Sequence, residues 1–386
     1  MDVSPVYQIA AELVERYAAL DPIAATSMGV PGHDERLTDF SPDGMAARDN
    51  LYRETLNALA AAPTDGDRDR IARDAMVESL ELRLARSEAG EPLRELSIIG
   101  SAPQRTRGTF DLMPRSSEED WTMIARRLGA VPAALASFEK TLAEGIRRGL
   151  TAARRQVEAN ITMSETWSGH GDAHSFFSGL VAGYGGSGAL KTDLEAVATG
   201  ADEAYAAFAR YLRETYADVA SDVDGAGRER YQLAARAYNG IELDLDETYQ
   251  WGWDELYRVE REMAGTCARI LPGASVPETI QFLERDPARA IDGVDAFRQW
   301  MQDLQDRTIA ELDGVHFDIP GPIKKIEAMI APPGGALAMY YTGPSEDFSR
   351  PGRTWYPTGG KTRFPLWGEV SIAYHEGVPG DRKSVV

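Results

Sequence analysis

The chain has 386 residues, 43% hydrophobic and 26% charged. It is long enough to bury a large core and too ordinary in composition to be mainly disordered. Lys plus Arg number 41 against 61 Asp plus Glu, a net charge of −20. That balance repels phosphate backbones and anionic bilayers, so neither nucleic acid nor membrane is an expected partner. Cys267 is the single cysteine, which excludes an internal disulfide and a Cys-rich metal site and fits a reducing compartment. The opening MDVSPVYQ carries neither a basic nor an apolar leader pattern, so a cytoplasmic location is expected.

The predicted elements are mostly helices. Ser4-Pro5 reads as an N-cap followed by Pro at the first helical position. Val6, Ile9, Leu13, Tyr17 and Leu20 then recur at three/four spacing, and Asp21-Pro22 ends that helix. Further amphipathic stripes lie near 66–90, 190–221, 226–240, 246–270 and 292–312. The strongest begins at Ser116, with Glu119 as the capping-box partner, and runs from Trp121 to Ile146 through Pro132. Asp292 is the candidate cap of the helix carrying Val294, Phe297, Met301 and Leu304. Arg126-Arg127 and Arg147-Arg148 read as solvated helix faces. After about residue 318 the prolines and Gly334-Gly335 punctuate short runs. Ile323–Ile330, Ala336–Thr342 and Arg353–Tyr356 are the predicted strands, and a helix resumes near Leu366. The expected organisation is a helical body over 1–318, a β patch over 319–365, the start of a motif helix over 366–380, and a tail over 381–386.

Four features bear on chemistry. Tyr374-His375-Glu376-Gly377-Val378-Pro379-Gly380 contains His-Glu, the opening of a zincin motif in which His binds zinc and Glu works on the zinc-bound water. The usual second His at i+4 is replaced by Pro379, which cannot be a ligand and must distort or stop the helix. Gly368 and Ser371 leave the face around His375 small-sided. His170 and His174 have ligand spacing but sit in a Ser/Gly-rich stretch, and a loop or frayed helix end is the expected reading. Gly183 to Gly188 matches G-x-G-x-x-G formally, but no βαβ pattern surrounds it, so a loop between helices is expected instead of a nucleotide site. Asp244, Asp246 and Glu247 precede a helix and suit its N-terminal dipole. Cys267 is expected to be a buried structural thiol.

With these residues in view, the sequence resembles the bacterial DUF885 family, whose members look like zincin-type metallopeptidases. The resemblance runs along nearly the whole chain. Asp21-Pro22 through Gly29, Arg36 through Pro42, and Met113-Pro114-Arg115 with Asp120-Trp121 carry its first part. Gly145 through Leu150, Arg154 through Val157, Ser349 through Gly352 and His375 through Gly380 carry the rest. It implies a mostly α, zincin-like fold with a small β patch, and peptide-bond hydrolysis. It implies His375 as a Zn2+ ligand and Glu376 as general base or acid, with peptide as substrate. Tyr341 and Tyr356 on the β patch are the candidate substrate-binding residues. The family run continues with histidines, whereas here Asp381-Arg382-Lys383-Ser384-Val385-Val386 follow. Those residues correspond to GAT CGG AAG AGC GTC GTG, a common sequencing adaptor, so the tail is expected to be adaptor-derived and the parent protein to continue. One His cannot hold a catalytic zinc that needs about three protein ligands, so the chain as given is expected to be inactive. The alternative expectation is a non-enzymatic helical binding protein with a vestigial motif.

Overall fold

Capping chemistry sets the first helix boundaries. The computed structural model describes residues 4–169, 175–331 and 338–380. Ser4 caps α1 (Pro5–Leu20), its hydroxyl accepting from the Tyr7 N–H. Asp21 serves twice. Its N–H closes α1 on the Tyr17 carbonyl, and its carboxylate caps α2 (Pro22–Met28) by accepting from Ala24 N at 3.0 Å. The chain is mostly helical and divides into two compact units, residues 1–242 and 243–386. Residues 243–318 therefore cluster with the strand region, not with a single helical body ending at 318. No described helix is long and apolar enough to cross a membrane.

The first unit continues with α3 (Pro42–Ala61), α4 (Gly66–Glu88), α5 (Ala102–Gly108), α6 (Glu118–Gly129), α7 (Val131–Arg147) and α8 (Arg154–Trp167). It is completed by α9 (Phe176–Ala182), α10 (Ala189–Tyr211) and α11 (Arg228–Asn239). Helix α10 packs on α6, α7, α8 and α9. Its Ala198, Ala201, Tyr205 and Phe208 meet Ile124, Leu128, Leu135 and Phe138 in one core. The apolar stripe of α6 and α7 is thus buried along its length, which is where its stabilisation comes from.

Several expectations are corrected here. The stripe from Trp121 to Ile146 is two helices, because Pro132 cannot donate to the carbonyl of Leu128 and sits in the first turn of a new helix. The capping box is one residue later than expected. Ser117 caps and Asp120 reciprocates, its carboxylate accepting from the N–H groups of Ser116 and Ser117 at 2.8 Å each. The stripe near 190–221 leaves α-geometry after Tyr211, widening into a π turn (Leu212–Tyr216) before tightening in a 3₁₀ turn (Ala217–Val219). Arg127 is not on a solvated face: it is 0% exposed. Its guanidinium donates to the carbonyls of Arg36 (3.0 Å), Pro22 (3.3 Å) and His33 (3.1 Å) and to Thr109 Oγ1 (3.1 Å), with Asp34 at 3.5 Å. One side chain thereby ties the segment after α1 to α6. Arg147 is exposed and pairs with Glu144 across one turn, as a solvated face requires.

The second unit holds α12 (Leu245–Ile270), α13 (Val276–Arg285), β1 (Ala290–Asp292), α14 (Val294–Leu312), β2 (Ile326–Ile330), β3 (Tyr340–Thr342), β4 (Gly352–Tyr356), β5 (Arg363–Pro365) and α15 (Leu366–Glu376). Asp244 caps α12 by accepting from Asp246 N and Glu247 N, as the acidic cluster suggests. Asp292 does not cap α14. It is held in β1, paired with Arg363 of β5, and Gly293 at φ 95° makes the turn instead. β2 runs parallel to β4, and β3 runs antiparallel on its other side. That leaves the outer edge of β2 open, and Gln302 of α14 covers it. Its amide donates to Ile326 O and accepts from Ala328 N, both at 2.8 Å, in place of a neighbouring strand. Phe297, Met301 and Leu304 then pack on Ala328, Tyr356 and Phe364.

Candidate functional site

The motif helix α15 leaves β5 through Pro365. It buries Ala373, with Val370 alongside, on the core beneath the strands. The same pattern leaves Trp367, Ile372 and Tyr374 exposed. Gly368 and Ser371 are not packed against a neighbour that would fill the space their small side chains leave on the helix.

His375 and Glu376 occupy the last turn, and the sequence explains why the helix stops there. Pro379 offers no N–H, and Gly377 leaves helical geometry while its N–H still bonds Ala373 O at 2.9 Å. The chain then folds back so that Gly380 N donates to Tyr374 O at 3.0 Å. A Cβ on Gly380 would lie 2.0 Å from the His375 carbonyl oxygen, so only glycine permits this approach. The Val378-Pro379 peptide is cis. Val378 is buried against Ile309 and Ile326. The Pro-Gly element therefore anchors the end of the helix on the core and leaves the last turn outward. The His375 side chain is 81% exposed, that of Glu376 is 25% exposed, and Nε2 lies 3.8 Å from Oε1.

The structure brings His375 and Glu376 together and brings no further ligand to them. Among the described residues no group of three or more His, Cys, Asp and Glu could hold a metal ion. The described residues alone do not fit a catalytic zinc, which takes about three protein ligands. His170 and His174 and the tail 381–386 lie outside the described residues.

The two tyrosines differ. Tyr341 is half-buried on β3 opposite Thr354. Its hydroxyl lies over Gly352, where a Cβ would be 2.1 Å from it. Tyr356 is 1% exposed, stacked edge-on against Phe297, and its hydroxyl accepts from Gln305 Nε2 at 3.0 Å. Burial pushes its phenol well above the ordinary range. Tyr356 is thus placed as a core residue of the sheet, away from open surface. Gly183–Gly188 forms the turn from α9 into α10, with Gly188 at φ 86° just before the helix, so it is a helix-to-helix loop. Cys267 is a buried free thiol in α12.

A second polar cluster, in the first unit, escaped the sequence reading. Asp21 is 2% exposed and accepts from Arg105 Nη2 through both oxygens (2.8 and 2.6 Å) and from Thr38 Oγ1 at 2.6 Å. Burial pushes its carboxyl up, but Arg105 and the hydrogen bonds from Thr38 and Ala24 N outweigh this and hold it below the usual carboxylate range. Asp21 reads from sequence only as a helix end. Arg105 lies 84 positions away in a polar stretch with no motif spacing, so nothing in one sequence joins the two.

Comparisons place the chain. Two solved structures share its fold. One is described as "the putative lipoprotein from Colwellia psychrerythraea": 18% identity, TM-score 0.76, covering 98% of this chain and 72% of that one. The other is "a putative lipoprotein of unknown function from Shewanella oneidensis": 16% identity, TM-score 0.60, covering 98% and 71%. No curated protein matches the chain. The family model described as "Bacterial protein of unknown function (DUF885)" matches residues 22–381. That match spans the anchored His375–Gly380 turn and almost all of both units, and the chain belongs to the DUF885 family.

Proposed function

We propose that the second unit contributes to the metal site of a zincin-like peptide hydrolase, with His375 as ligand and Glu376 as the acid/base carboxylate. The observation that supports this is the built helix end. Val378 and Gly380 pin the turn after Glu376, so His375 stands in solvent at a defined place although nothing in the core needs it there. A structural histidine would be buried and bonded. Tyr341, half-buried on the neighbouring sheet, is the tyrosine this reading assigns to the peptide. The proposed location is cytoplasmic, in keeping with the lone free thiol of Cys267.

The test uses the protein expressed from its genomic reading frame. Elemental analysis should find about one zinc per chain, lost in His375→Ala and kept in Glu376→Gln, with peptide cleavage lost in both. Zinc that survives His375→Ala, or cleavage that survives Glu376→Gln, overturns the assignment. Recovery in the membrane pellet on fractionation would overturn the location.

A further inference from the structure

The first unit has a half-open cavity of about 680 Å³ between α1, α3, α4 and α7, the segment from Pro92 to Arg105, and the end of α11. This is the size of a small-molecule site. Its apolar lining comes from Tyr17, Phe40, Tyr52, Leu82 and Phe138.

Its charged lining can be accounted for pair by pair. Arg105 is committed to Asp21 through two short bonds. Glu78 is committed to Arg236, which grips both its oxygens at 3.2 and 3.1 Å. Asp49 accepts from Ser87 Oγ. Arg48 donates from Nη1 to the carbonyls of Leu20 and Asp39, which leaves its charge unpaired. Arg83 lies over the Tyr52 ring at 5.8 Å and Arg86 also lines the space. Neither makes an ion pair within 4.0 Å among the described residues. Glu95 lines the same space and feels the pull of Arg86 and Arg105 without an ion pair to either. With the Asp21–Arg105 and Glu78–Arg236 pairs set aside, Arg48, Arg83 and Arg86 face Asp49 and Glu95, an excess of one positive charge in a chain whose net charge is −20.

Arg83 and Arg86 stand three apart on α4, so they share one face and can grip the two oxygens of one carboxylate. A multiply charged anion would meet Asp49 and Glu95 in the same walls. A monovalent one with an apolar body meets the aromatic lining instead.

We propose that this cavity binds a small organic monocarboxylate with an aromatic or branched apolar body, the carboxylate between Arg83 and Arg86 and the body against Tyr17, Phe40 and Tyr52. The proposal is separate from the metal reading, since it uses only the first unit, and binding should be unchanged in His375→Ala.

Isothermal titration with 3-phenylpropanoate tests it, with 3-phenylpropanamide, propanoate and inorganic phosphate as comparators. The acid should bind at least ~10-fold more tightly than the amide or propanoate, and phosphate should not displace it. Arg86→Gln should weaken the acid by ~10-fold and leave the amide unchanged in a protein that still folds, since Arg86 is half-buried and has only its through-space pull on Glu95 to lose. Ala75→Trp, which puts an indole into the cavity, should abolish binding of both. Equal affinity for acid and amide overturns the proposal, and that comparison needs no variant. So does absence of saturation by ~10 mM acid, or unchanged binding in a normally folded Arg86→Gln. Displacement by phosphate alone would leave only an anion site and overturn the apolar part.

Discussion

Helices α6 and α12 carry the same kind of sequence signal and meet opposite fates. Both have apolar residues at three/four spacing, an acidic first turn and a capped start. In α6, Trp121, Ile124 and Leu128 are buried against α10. In α12, Tyr249, Trp251, Trp253, Leu256 and Tyr257 stay exposed and only Cys267 is buried. Periodicity reports which side of a helix is apolar. Whether that side is covered depends on partners supplied from elsewhere, and the α6 stripe has them within its own unit. For α6 these include the small residues Ala198 and Ala201 of α10 in the same core, which permit close approach. The α12 stripe holds itself together instead, Trp253 packing against Tyr249 and Tyr257 along the helix with centroids 6.2 and 5.9 Å apart.

The contrast should break most violently at Arg127. Arg127→Met keeps most of the volume but strands the carbonyls of Pro22, His33 and Arg36. It also leaves Asp34 without its cation. Burial already pushes the guanidinium down to about 10, with Asp34 pulling it back, so the site is near the limit of what a charge tolerates. The expected loss is about 3–5 kcal/mol in urea unfolding of the first unit. A loss below about 1 kcal/mol would show that the carbonyls find other donors. Next comes Trp121→Ala, expected to cost about 3–4 kcal/mol through cavity formation and loss of the indole bond to Arg115 O. A value near zero would mean that burial of the α6 stripe does not stabilise the unit.

Asp21→Asn tests the same unit by pH. The folded carboxyl is held below its unfolded value, so the unfolded state binds more protons as pH falls. The stability from Asp21 is therefore present above about pH 4 and lost as pH drops through the folded value. Asp21→Asn should cost about 1–3 kcal/mol at pH 7, with the gap to the unaltered chain closing as pH falls through the folded value. A gap that does not change with pH would assign the cost to packing and not to charge.

Much of the helical frame was legible because its signals are local. Ser4-Pro5, Asp21-Pro22 and Asp244 act through groups two to four residues away. The motif turn was legible for the same reason, since Pro379 stops the helix beside it. What was illegible depends on residues far apart. β1 and β5 are three residues each and pair across about 70 positions, too short for alternation to register. Asp292 looks like a cap until that pairing claims its backbone. Arg127 looks solvated because its four acceptors come from three distant stretches. The cavity arginines come from α3, α4 and α5, and no spacing rule gathers them.

The smallest effect is expected where the sequence signal looks as strong as in α6. Trp251 is 64% exposed, so Trp251→Ser removes little buried area, and its cost should stay within about 0.5 kcal/mol. The pair Trp253→Ser and Tyr257→Ser should also lower concentration-dependent light scattering, because the contiguous exposed face of Tyr249, Trp253 and Tyr257 drives self-association. Set against Trp121→Ala, this gives one residue type on a covered and an uncovered helix with costs that differ roughly six-fold or more. If the α12 pair proved as costly as Trp121, the exposed face would have to be covered in solution, and the contrast between the two helices would vanish. If it proved neutral, the coverage of a stripe, not its amphipathic pattern, would be what sets the stability of each unit.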